Sequence, residues 1–137
     1  MDLRKSASRL TAKEKARFVA ALIELKRVGH YDHLVHVHHH AMMEMNPDPA
    51  HGGPAFLPWH RYFVRHLELD LQQVDRRVTI PYWDWTRDRA TTGTPWTADL
   101  MGGDGRQQDG KVRATSQFEP QLAMEATLMA VPRILRG

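Results

Sequence analysis

Apolar positions recur at helical spacing over most of the first 75 residues, and the pattern predicts three helices. Phe18, Val19, Leu22, Ile23 and Leu25 follow a period near 3.6. Thr11, Ala12, Lys13 and Glu14 fit a capping box just ahead of them, and Gly29 suits a left-handed stop, so the first helix is predicted from Thr11 to about Val28. A second is predicted from about Tyr31 to Met45, where Tyr31, Leu34, Val35, His38, Ala41, Met42 and Met45 form one stripe. A third opens near Pro58, a residue suited to a first helical turn, and turns Phe63, Val64, Leu67, Leu71 and Val74 inward.

Between the second and third helices, Asn46 to Pro58 is rich in proline and glycine and reads as a loop. VTIPYWDW, from Val78 to Trp85, is extended and aromatic, and Pro81 bars it from a central strand. Arg87 to Lys111 is predicted to be mostly irregular, with Trp96 and Leu100 pinned to the core. A last helix is expected within Glu119 to Leu135, limited by Pro120 and Pro132. The fold class is therefore mainly α: an antiparallel helical bundle with long irregular loops, in a single domain of residues 1–137.

Composition narrows the chemistry. At 137 residues, with 42% hydrophobic and 26% charged residues, the chain has the make-up of one folded domain. The net charge of +3 is spread among acidic residues, which gives no nucleic-acid footprint. There is no cysteine, so disulfides, thiolate metal sites and thiol nucleophiles are excluded, and a metal site must use nitrogen or oxygen. No signal-like or membrane-spanning apolar run occurs, so the expectation is a soluble chain, either cytoplasmic or exported with a helper protein.

All nine histidines fall between His30 and His66. Imidazole favours copper, zinc, nickel and iron. His33, His36 and His40 share a polar helix face and read most simply as solvated side chains, although His36 and His40 have the i, i+4 spacing that holds an adventitious ion. His38 lies on the buried stripe of the second helix. His60 stands one step ahead of Val64 on the stripe of the third, and His51 lies in the loop between. Singly, each reads as an ordinary core or loop residue. Together, two stripe histidines on neighbouring helices and one in the connecting loop can converge, and three nitrogens with an open position make a reactive site. Trp59 and Arg61 suit either a supporting or an interface role, PYWDW can be an aromatic plug with Asp84 bonded to indole or backbone, and Met42, Met43 and Met45 read as packing.

YDHLVHVHHHAM, HGGPAFLPWHRYFVRHLELDLQQVD, VTIPYWDW with Arg87 and Asp88, and WTADLMGGDG occur in unbroken order over roughly residues 10 to 105. In these motifs the chain resembles the tyrosinase family of type-3 copper proteins, in particular its short bacterial members. The resemblance implies that His38, His51 and His60 are the ligands of the first copper, CuA, within part of a four-helix bundle. It also implies a phenolic substrate and dioxygen, with monophenols hydroxylated at the ortho position and diphenols oxidised to ortho-quinones, the chemistry of melanin formation.

The family's second copper site, CuB, takes a His-x-x-x-His helix and a later histidine, and no histidine follows His66. Three arrangements fit that pattern: a CuB-bearing companion chain, which is the preferred expectation; self-pairing across a two-fold axis; or a mononuclear copper module or inactive remnant.

Overall fold

The computed structural model describes residues 3–43, 48–90, 93–102, 106–108 and 111–113, the last two segments by their backbone. The protein is mainly helical. Its helices are α1 (Ala12–Arg27), α2 (His30–Met43) and α3 (Phe56–Val74), and two three-residue strands, β1 (Arg106–Gln108) and β2 (Lys111–Arg113), pair antiparallel. Among the described residues no helix is long and apolar enough to cross a membrane.

The chain divides into two compact units, one of Ala20–Thr79 and one of Met1–Val19 with Ile80–Gly137, and the boundary falls inside α1. In the first of these, Val28 and Gly29 turn the chain between α1 and α2. Gly29 has φ +82°, a left-handed conformation that glycine adopts without a Cβ penalty, and its amide donates to the Lys26 carbonyl at 3.1 Å. An ion pair from Lys26 to Asp32 ties the two sides of this turn.

α2 and α3 then pack antiparallel: His38, late in α2, meets Trp59 and His60 early in α3. Leu71 is fully buried, and α3 ends where the Asp75 amide donates to the Leu71 carbonyl. Beyond it, Gln72 Nε2 donates to the carbonyl of the buried Val78 at 3.1 Å, which anchors the exit of the helix.

The other unit begins with the predicted capping box. The Glu14 amide donates to Thr11 Oγ1 at 3.3 Å, and the Thr11 amide donates to Glu14 Oε2 at 2.9 Å. The Glu14 carboxyl is lowered to about 2, first by its hydrogen bond from Lys5 and then by those from Thr11. Tyr82 bridges to the N-terminal segment, its amide donating to the Lys5 carbonyl and its carbonyl accepting from the Ala7 amide. This single bridge is as much strand as the stretch around Pro81 makes, in keeping with a residue that has no amide hydrogen. Leu100 is fully buried, and Trp96 meets Trp83 edge to face at 5.9 Å.

Several expectations are corrected. α3 starts at Phe56, two residues before Pro58, where the Trp59 amide donates to the Ala55 carbonyl at 2.9 Å; Pro58 still lies in the first turn, where its missing amide hydrogen costs nothing. Val74 is 43% exposed at the end of α3, while Glu68 is buried, its carboxylate paired with Arg65 at 2.7 Å. In α2 the buried position is Ala41, three steps from His38, and Met42 points outward at 43% exposure. Asp84 accepts from the Thr86 hydroxyl, whereas the Trp83 indole donates to the Asp88 carbonyl. β1 falls in the stretch expected to be irregular. Met45 and the helix expected within Glu119 to Leu135 lie outside the described residues.

The Leu71→Ala substitution should remove about 2 to 5 kcal/mol of stability, the range for a fully buried leucine whose surroundings collapse only partly. Urea unfolding followed by circular dichroism measures it, and a loss below about 0.5 kcal/mol, the usual scale for a surface change, would show that α3 is not anchored at this residue.

Candidate metal centre

The three histidines are delivered by three different local devices. His60 sits in the second turn of α3, and its Nδ1 lies 2.9 Å from the Phe56 carbonyl one turn earlier. A carbonyl only accepts, so Nδ1 carries the proton and Nε2 is left as a lone-pair donor to a metal.

His51 lies in the loop, where Asp48 organises the bend. One carboxylate oxygen of Asp48 accepts from the amides of Ala50 at 2.7 Å and His51 at 3.1 Å, and the other is 3.0 Å from His51 Nδ1. Ala50 is fully buried and Gly52 takes φ +72°, so the loop is seated on one side of His51 and free to reverse on the other. Burial pushes the Asp48 carboxyl up, but the Ala50 amide, the His51 imidazole and the His51 amide together hold it below the usual range. The carboxylate is therefore charged, and it fixes the same tautomer on His51 as the Phe56 carbonyl fixes on His60.

His38 comes from α2 and is held by rings. It meets Trp59 and Phe63 at centroid distances of 5.7 Å each. Burial, followed by the neighbouring His51 and His60, lowers its pKa, which favours the neutral ring that a metal requires.

The three imidazoles meet. Their centroids are 5.0 Å (His38 to His51), 5.6 Å (His38 to His60) and 5.1 Å (His51 to His60) apart. One ligand nitrogen from each lies within 4.8 Å of the others, and among the described residues no other set of three such groups does so. Nitrogen lone pairs crowded together in this way are poorly matched to one another and well matched to a cation. The donor set, three imidazoles without sulfur or a bound carboxylate, fits copper and leaves positions open for a further ligand.

Aromatic rings close the site on the α3 side. Phe56 packs on His60 at 4.5 Å, and Trp59 packs on His60 at 4.9 Å while stacking on Phe63 at 5.2 Å with planes 15° apart. Trp59 is thus a wall of the site, while the Arg61 side chain is exposed. His33, His36, His39 and His40 are exposed and stand outside the trio. Sequence reasoning did not single out Asp48 or Phe56. Their signals were an aspartate three residues before the loop histidine, the spacing of a local side-chain turn, and a residue four before the helical one.

Replacing Asp48 with alanine should weaken metal binding about 10- to 100-fold, the usual effect of removing the partner that orients a ligand histidine. Competition with a chelator of known copper affinity measures this, and wild-type affinity in the variant would remove Asp48 from the account.

The chain is similar to known proteins of one family. A family model described as the common central domain of tyrosinase matches residues 28–131. The tyrosinase of Streptomyces antibioticus is 48% identical over 115 residues, covering 82% of this chain and 42% of that protein. The tyrosinase of Streptomyces galbus is 47% identical over 118 residues, covering 82% and 43%. The grixazone synthase of Streptomyces griseus subsp. griseus is 39% identical over 138 residues, covering 96% and 45%. The chain spans less than half the length of these curated relatives. On these matches the chain belongs to the tyrosinase family.

Proposed function

We propose that this chain supplies the CuA half of the catalytic domain of a copper-dependent phenol oxidase, with His38, His51 and His60 as the ligands of one copper ion. The observation that carries the reading is the convergence of three ring nitrogens within 4.8 Å, two of them on rings oriented from behind by Asp48 and the Phe56 carbonyl. The second copper takes a further set of ligands, from a CuB-bearing partner or, in a self-paired dimer, from the same histidines of a second copy. With both ions bound, the metal pair supplies the dioxygen chemistry by which monophenols are hydroxylated ortho to the hydroxyl and diphenols are oxidised to ortho-quinones.

The residues of this chain do the positioning. Asp48 and the Phe56 carbonyl hold a proton at Nδ1 of His51 and of His60, and so aim each Nε2 inward. Phe56, Trp59 and Phe63 pack against the rings of His60 and His38 on the α3 side and hold them in place. Leu57, 75% exposed on α3 three residues before His60, offers apolar surface to the element that brings the second copper.

The His60→Ala substitution should abolish the tight copper equivalent, read by metal analysis after gel filtration; retention of that equivalent would contradict the reading. Acidification should release copper, because protons compete for the ring nitrogens and affinity rises with pH. The lowered pKa of His38 extends its neutral form toward lower pH. Equilibrium dialysis across an acid series measures it, and full retention in acid would count against imidazole ligation. Phenol oxidation that appears only when the copper-loaded chain is combined with a companion or forms a dimer supports the paired centre, whereas copper binding with no oxidation in any assembly would leave a mononuclear module.

A further inference from the structure

A groove of about 610 Å³ runs between α2 and α3, separate from the trio, and four metal-ligating side chains line it: His30 and His33 from α2, His66 and Asp70 from α3. Its wall on the site side is made by Trp59 and Phe63, the same rings that touch His38. Among the described residues none of the three imidazoles makes a hydrogen bond, and the half-buried carboxylate of Asp70 has neither a hydrogen bond nor an ion pair. Among the described residues the ring of Tyr62, at 4.3 Å, is the one that steadies His66. A partly desolvated carboxylate facing uncommitted imidazoles is a combination that a cation satisfies and that water satisfies less well.

We propose that this groove is a second, looser binding site for a divalent first-row transition metal, with copper(II) the best match, taken by His33 and His66 together with Asp70 and with His30 at its edge. The spacing follows ordinary helix geometry. His30 and His33 are one turn apart on α2, His66 and Asp70 are one turn apart on α3, and both pairs face one cavity from antiparallel helices, as in metal sites built between bundle helices. The mixed nitrogen and oxygen set suits copper(II).

The site is looser than the trio for two reasons. Its ligand atoms do not gather within 4.8 Å as those of His38, His51 and His60 do, and its histidines are exposed, so binding must freeze side chains that are otherwise mobile in rotamer. A weak site one aromatic wall away from a tight one is placed to capture an ion from solution before the trio holds it. The assignment rests on the groove residues and is independent of the phenol oxidase reading.

The test is a titration of the full chain with copper(II) sulfate, followed by calorimetry and by electron paramagnetic resonance. Two equivalents are expected, one tight and one weaker, with distinct copper(II) spectra. The double substitution His33→Ala and His66→Ala should weaken the second equivalent at least tenfold and leave the first, while His60→Ala should do the reverse. Asp70→Asn, which preserves shape, should also weaken the second equivalent and alter its spectrum. A single equivalent in the unsubstituted chain that His60→Ala removes, a weaker equivalent that survives loss of His33 and His66, or one lost instead with His36→Ala and His40→Ala would each overturn the assignment. Loss of the tight equivalent with His60→Ala bears on the trio alone, so the two readings fail separately.

Discussion

Two hydrogen bonds made on the far side of imidazole rings hold this site together. A histidine has two nitrogens, and a ring left to itself presents either of them; once the Nδ1–H group donates to Asp48 or to the Phe56 carbonyl, only Nε2 remains to face inward. The bond at His60 is internal to α3, since the acceptor lies one turn back on the same helix, and it comes with the helix itself. The bond at His51 depends on a four-residue bend in which one carboxylate serves two amides and a ring. His38 has packing in their place. The trio therefore grades from helix-encoded, through loop-encoded, to tertiary, and its third member depends most on α2 and α3 staying in contact.

That contact is uneven along its length. Leu71, the fully buried leucine of α3, lies eleven residues beyond His60, about 16 Å along a helix. Aliphatic burial anchors one end of α3, whereas the other end rests on Phe56, Trp59, Phe63 and the imidazoles. A metal bound by His38, His51 and His60 would join α2, the loop and α3 at the end that apolar packing serves least, so metal binding and local stability are linked there.

The features legible in the sequence were those with short-range causes. The Thr11 to Glu14 cap and the Gly29 stop were readable because each is satisfied within four residues. His38 and His60 stood out because a polar residue on an apolar stripe breaks the period. Counting apolar residues has matching blind spots: it passed over Glu68, buried through its bond to Arg65, and placed Val74 and Met42 inward although both lie at helix ends where the packing runs out. Asp48 was hidden because its role appears only once the loop folds back on it. The start of α3 lies two residues ahead of Pro58, where the Ala55 carbonyl takes the first helical hydrogen bond, from the Trp59 amide. The groove between α2 and α3 was illegible for a stronger reason, since His33 and His66 meet one cavity only after two helices have paired.

The crystal structure of the copper-loaded chain bears most directly on the central claim. The account predicts one ion bonded to Nε2 of His38, His51 and His60, with Nδ1 of His51 still on Asp48 and Nδ1 of His60 still on the Phe56 carbonyl. An ion held elsewhere while the three rings remain bonded only to protein, or one bound through Nδ1 with those two hydrogen bonds broken, would contradict it.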